Sequence, residues 1–265
     1  MGLFHSLDDV ERHALDAERT TERPGLLQGL EPRIKVVGLL ALVIAATATH
    51  SLLTLSALFA LAVLLGLASN VSVFRLARQV WLGVLLFTGA IALPSLFLVP
   101  GATIARLPLL GWEISAQGVR SAAFLLGRAE TSATFAALLV LTTPWPHVLK
   151  ALSSLGVPDA IVAVLGMTYR YIFVLLRTAG EIMEARRSRI MSRMDRSARR
   201  RLLITTLGAL LGKSLALAQD VHTAMIARGY RGQVRLLNDF RTRGRDWLFL
   251  AATLLVPASI YGLSL

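Results

Sequence analysis

The sequence predicts an all-α membrane protein of about five transmembrane helices with a cytoplasmic domain of long helices, and three observations predict it. Hydrophobic residues fill 55% of the 265 positions, the mean hydropathy is +0.62, and charged residues make up 17%. A soluble domain carries about a quarter charged residues. The apolar residues fall in blocks long enough to cross a hydrocarbon core, which takes about 20 residues as a helix. The positive charge is also localised. Between Glu181 and Arg201 stand eight Arg against three acids, and between Arg228 and Arg245 six Arg against Asp239 alone. Both stretches flank apolar helices, as cytoplasmic loops obeying the positive-inside rule do. That placement outweighs the nucleic-acid reading that a net charge of +12 would otherwise invite.

Residues 3 to 15 put Leu3, Leu7, Val10 and Ala14 at helical spacing among polar residues, which predicts an amphipathic helix on the membrane surface. The start is polar and mixed in charge, without the basic head and apolar core of a signal peptide, so no cleavage is expected. After a polar link, Arg33 and Lys35 can snorkel at the start of a first apolar block, Val36 to Thr49. His50-Ser51 is so short a link that the block from Leu52 to Ser69 should form a hairpin with it. Arg75 and Arg78 lie in the next loop. A third span runs from about Val80 to Leu98, with Pro94 near its end. The loop from Val99 to Gln117 is rich in turn formers and poor in charge, fitting the outer face. A fourth span covers about Gly118 to Thr143, and the last runs from Trp247 to Leu265. Trp81, Trp145 and Trp247 fall at span ends and Trp112 in the outer loop, where an interfacial belt would hold them.

Between the fourth and last spans lies a region of different character. Pro144 and Pro146 break the chain, a short helix around His147 to Leu155 stops at Gly156, and Pro158 opens a long helix. Another helix runs from about Leu202 to Arg228. Hydropathy alone would make spans of 160–179 and 202–219. Topological parity argues against it. With Arg33, Lys35, Arg75 and Arg78 inside, four spans return the chain to the cytoplasm at Pro144. A crossing at 160–179 would put the Arg-rich stretch outside and Arg170 deep in lipid. The expected organisation is therefore a link over 1–32, a membrane part over 33–143, a cytoplasmic domain over 144–246 and a final span over 247–265, with the N-terminus inside.

Several chemistries find no support. The absence of Cys excludes disulfides, thiolate metal sites and a Cys nucleophile. Gly208-Ala209-Leu210-Leu211-Gly212-Lys213-Ser214 is one residue short of a phosphate-binding loop and has no strand before it. Two small residues at i, i+4 instead suit close helix packing. The five His are dispersed without ligand spacing, and no nucleophile–base set or paired carboxylates stand out, so neither a metal site nor an enzyme is expected and no cofactor is implied. Arg128 and Glu130 fall within the fourth span, where charges are either functional or anchors of helix packing.

Two short motifs carry the functional reading. One is Ala185-Arg186-Arg187-Ser188-Arg189-Ile190; the other is Ala224-Met225-Ile226-Ala227-Arg228-Gly229-Tyr230-Arg231-Gly232. Each sets an Arg after a small residue near a helix C-terminus, Arg189 and Arg228 being 39 positions apart. Either alone would be ordinary capping. With Leu30-Glu31-Pro32-Arg33-Ile34-Lys35 and Met167-Thr168-Tyr169-Arg170-Tyr171-Ile172-Phe173, the chain resembles the transmembrane (T) subunits of energy-coupling-factor transporters, most closely their cobalt/nickel branch. The resemblance runs from about residue 28 to the end. Ile190 departs from it, standing where Gly or Ser is usual.

That resemblance implies a bacterial inner-membrane subunit without a catalytic or nucleotide site of its own. Its partners would be two ABC-type ATPases, a separate substrate-binding membrane (S) subunit and the lipid bilayer. The ATPase-coupling residues would be Ser188, Arg189 and Ile190 at one helix end and Ala227, Arg228 and Gly229 at the other. Arg186 stands as an alternative first coupling Arg, and Gly208 and Gly212 as the place where the two long helices cross. Cobalt or nickel follows as the substrate from the family branch alone. The competing readings are a membrane scaffold whose basic face grips anionic lipid, and a secondary transporter, which would need a polar pocket among its own spans.

Overall fold

The computed structural model describes residues 25–98, 102–106, 113–188, 195–231 and 244–263. The amphipathic segment expected over 3–15, Trp112, Arg189 and Ile190 lie outside these residues. The described chain is α-helical apart from one short antiparallel hairpin, β1 (Thr103–Arg106) and β2 (Glu113–Ser115), within the loop expected on the outer face. The helices are α1 (Pro32–Ala48), α2 (Leu52–Ala68), α3 (Val73–Leu76), a π turn (Ala77–Trp81), α4 (Leu82–Leu98), α5 (Ala116–Thr142), α6 (Trp145–Ser154), α7 (Asp159–Arg187), α8 (Arg196–Ala227) and α9 (Gly244–Leu263). The protein is an all-α membrane protein.

The starts and stops follow local chemistry. Pro32 occupies the first turn of α1, where a missing N–H costs nothing. Ser115 caps α5, its hydroxyl accepting from the Gly118 N–H at 2.9 Å. Helix α2 ends on Asn70 in the left-handed region, φ 54°, with the Val71 N–H returning to the Gly66 carbonyl.

Two compact units result. One comprises the described residues from Gly25 to Ala151 together with α9; the other comprises those from Leu152 to Arg231. In the first, α5 is central, touching α1, α2, α4 and the π turn, while α9 packs on α1. Inward positions recur at helical spacing: Lys35, Leu39, Leu42 and Ala46 on α1, Leu55, Leu58 and Ala62 on α2, Phe135 and Leu138 on α5. The outward faces are apolar as well. Leu85, Leu86 and Phe87 on α4 and Leu248, Leu254 and Leu255 on α9 are all more than half exposed, a surface suited to lipid. Thr134 and Thr142 on α5 direct their hydroxyls to carbonyls four residues back, both at 2.6 Å, which satisfies these two groups within the helix. At Gly38 an added Cβ would stand 3.0 Å from both the Phe249 ring and Thr253 Oγ1, so glycine permits the close approach of α1 and α9.

In the second unit α7 and α8 run beside each other. At 1.5 Å per residue they are about 44 and 48 Å long. By length and composition α5, α7 and α8 are able to cross a membrane, and α2 and the start of α4 are shorter apolar helices. Only 6% of the apolar window of α7, and of α8, is buried within the chain, against 22% for α5. The apolar surface of the two long helices is therefore left largely uncovered by the described residues, and suits lipid or a partner protein.

Candidate functional site

The C-terminus of α8 is built as a stop that presents one cation. Gly229 lies at φ +80°, its N–H donating to the Ile226 carbonyl at 2.9 Å, and the Tyr230 N–H donates to the Met225 carbonyl at 3.0 Å. This is the Schellman arrangement, which leaves the preceding residue at the very end of the rod. That residue is Arg228, with Ala227 before it. Its side chain is exposed and makes no hydrogen bond or ion pair among the described residues. A free guanidinium at a helix end suits charge-assisted hydrogen bonds to carboxylates.

The C-terminus of α7 differs. Ser188 caps it, its N–H donating to the Glu184 carbonyl at 3.0 Å and its hydroxyl to the Ala185 carbonyl at 3.0 Å. Arg186 Nη1 donates to Thr205 Oγ1 on α8 at 2.5 Å, so this guanidinium is engaged inside the chain.

Toward the C-terminal end of α8 and the N-terminal half of α7, the two helices enclose an apolar groove of about 560 Å³, lined by Met167, Tyr171, Leu217, Val221 and Met225 among others, with Tyr230 folded onto it beyond the Gly229 turn. Sequence reasoning missed this groove. The residues are at helical spacing, yet nothing in a helical stripe tells a filled seam from an open one.

The expected crossing at Gly208 and Gly212 is not made. A Cβ at either would meet nothing within 4 Å. At 100° per residue both glycines fall well away from the line of Ser214, Leu217, Val221 and Met225 that faces α7. Ser214, not the glycine pair, begins the approach. The near-match to a phosphate loop over 208–214 is continuous helix.

Arg128 makes two contacts inside the membrane unit. It reaches from α5 to the Thr49 carbonyl at the end of α1 and lies over the Phe124 ring at 5.5 Å. Trp81 is half-buried against α2 and α5. Its indole Nε1 donates to Thr134 Oγ1 at 3.0 Å and its ring stands 5.4 Å from that of Phe59, because the π turn continues into α4 and carries Trp81 onto the α5 side.

Comparison with known proteins matches residues 25–237 to the CbiQ family, described as cobalt transport protein. An uncharacterised protein of Methanocaldococcus jannaschii is 29% identical over 246 residues, covering 91% of this chain and 84% of that protein. The cobalt transport protein CbiQ of Rhodobacter capsulatus is 32% identical over 158 residues, 57% of this chain and 63% of its own. The nickel permease LarQ of Lactiplantibacillus plantarum is 31% identical over 116 residues, 44% of this chain and 42% of its own.

Proposed function

Since the chain belongs to the CbiQ cobalt transport protein family, the cobalt/nickel branch of the energy-coupling-factor transmembrane subunits, we propose that it is the membrane-embedded coupling subunit of an ATP-driven importer of cobalt or nickel ions. It carries the motion of two ABC-type ATPases to a separate substrate-binding membrane subunit. One observation supports this above the rest: an exposed guanidinium, Arg228, at the tip of a 32-residue helix before a glycine stop. Such a tip enters an acidic groove on a partner without steric hindrance from Ala227 or Gly229. Arg189 is the second tip. The engagement of Arg186 with Thr205 supports Arg189 over Arg186 for that role.

In this reading α7 and α8 lie on the cytosolic side of a bacterial inner membrane, the N-terminus is cytoplasmic, and hydrolysis belongs to the partners. The exposed Arg170, midway along α7, favours that placement, since a crossing would set it in hydrocarbon. The test is purification of the complex carrying Arg228→Ala and Arg189→Ala together. Membrane insertion should survive, while ATPase co-purification and ion uptake are lost, as for docking weakened by a few kcal/mol. Uptake at the wild-type rate in the double variant overturns the proposal. Wild-type protein that purifies without any ATPase would mark a scaffold instead.

A further inference from the structure

The residues from Gly25 to Lys35 carry a motif, Leu30-Glu31-Pro32-Arg33-Ile34-Lys35, that docking to ATPases leaves without a task. Its contacts supply one. The segment is itself fixed in place. Leu27 and Leu30 are buried in the core, and Gly25–Gln28 is stitched to the end of α2. Its ties there are the Leu26 N–H to the Ala68 carbonyl at 3.1 Å, the Leu27 N–H to Ser69 Oγ at 3.3 Å and Gln28 Nε2 to the Ser69 carbonyl at 2.9 Å. From this base it grips two further elements. Lys35, 2% exposed, donates from Nζ to the Thr142 carbonyl at the end of α5, at 3.0 Å. Asp246, equally buried in the first turn of α9, accepts the Glu31 N–H at 3.1 Å, and the neighbouring Arg245 Nη2 donates to the Gly29 carbonyl at 2.7 Å.

The chain leaves the membrane unit just after α5 and its short continuation α6, at Ala151, and re-enters it just before α9, at Phe240. The two gripped points are therefore the roots of the two connections by which the chain leaves the described membrane helices for α7 and α8 and returns from them. We propose that Gly29–Lys35 is a fixed anchor for both roots, so that force arriving along either connection acts on the membrane helices as one body; this rests on the coupling role proposed above. A buried ammonium with a carbonyl acceptor and no carboxylate within ion-pair distance among the described residues is a costly way to hold packing alone. An apolar side chain of similar length would pack as well, and would not hold Thr142.

The experiment reconstitutes the full complex in proteoliposomes and reads cobalt or nickel ions moved per ATP hydrolysed. Lys35→Met frees the α5 root and Arg245→Met the α9 root. Each should lower that ratio about fivefold or more, with the ATPases still co-purifying. An unchanged ratio, or hydrolysis and uptake falling in proportion, overturns the anchor. Absence of ATPases from the wild-type complex would count against the coupling reading instead. Arg245 is exposed, so Arg245→Met guards against poor folding: an unchanged ratio in that variant overturns the proposal even if Lys35→Met never reaches the membrane.

Discussion

Arg186 Nη1 hydrogen-bonds Thr205 Oγ1 at 2.5 Å, fastening the last turn of α7 to the third turn of α8. The same hydroxyl donates back to α8 carbonyls at Arg201 and Leu202, so Thr205 joins the guanidinium to the helix backbone. Thr205 is exposed and Arg186 only partly buried. The bond should therefore contribute well under the ~1.5–3 kcal/mol of a sheltered charged hydrogen bond. Thr205→Val should speed amide exchange in the last turn of α7 and leave ATPase co-purification within about twofold of wild type. Arg186→Ala should do the same, whereas Arg189→Ala should lower co-purification about tenfold, equivalent to ~1.4 kcal/mol. Equal losses for the two Arg variants would move the coupling role to Arg186.

Gly229 and Gly212 test whether glycine is needed for backbone or for space. Gly229→Ala places a Cβ in the left-handed region at φ +80° and should cost about 1 kcal/mol, fraying the end that carries Arg228. At Gly212, mid-helix and with nothing near an added Cβ, alanine should stabilise by up to about 1 kcal/mol through helix propensity. Thermal unfolding of the purified protein reads both, and the signs should be opposite. A destabilising Gly212→Ala would point to a partner packed on that face.

Arg128 joins α5 to the end of α1 through the Thr49 carbonyl. Arg128→Met keeps the stem that lies along Phe124 and removes the donor, leaving the buried Thr49 carbonyl without it. A loss of about 1.5–3 kcal/mol is expected, seen as a lower melting temperature in detergent. Transport per folded molecule should be unaffected. A specific fall in uptake at unchanged stability would assign Arg128 to function.

His147, on α6 outside the spans, has its pKa lowered from 6.5, first by burial and then by the positive charges of Lys35 and Lys150. The folded protein thus favours neutral imidazole, and the unfolded chain binds the proton more readily. Stability should be full above the unfolded value and decline as pH falls through about 6.5 toward the lower folded value. His147→Asn should flatten that part of the profile between about pH 7 and 5.5. An equal decline in the variant would assign the acid sensitivity to other groups, though not to Glu31, whose pKa is raised mainly by burial and which acts in the opposite sense.

Much of the fold was legible because its signals are local. The expected helix around His147 to Leu155 is Trp145–Ser154, and Pro158 does precede a long helix, since proline and glycine act within a turn of where they stand. The fourth span, expected from about Gly118 to Thr143, is Ala116–Thr142. The hairpin of β1 and β2 was not foreseen, because a short run such as Thr103–Arg106 has too little periodicity to separate strand from turn. The contacts of Trp81 with Thr134 and Phe59 were not legible for a related reason: proximity to a span end in sequence says nothing of which way a π turn aims an indole.

By itself the sequence determined the membrane class, the helix order and the identity of the cationic tip at Arg228, because hydropathy, helix stops and charge are properties of neighbouring residues. Only the tertiary structure decided that Lys35 holds Thr142, 107 positions away, that Asp246 receives the Glu31 N–H across 215, and that Gly208 and Gly212 face open space. Those outcomes depend on how helices are rotated and registered against one another. Rotation and register are set by the sum of many small packing contacts, each too weak and too distant in the chain to leave a pattern that can be read along it.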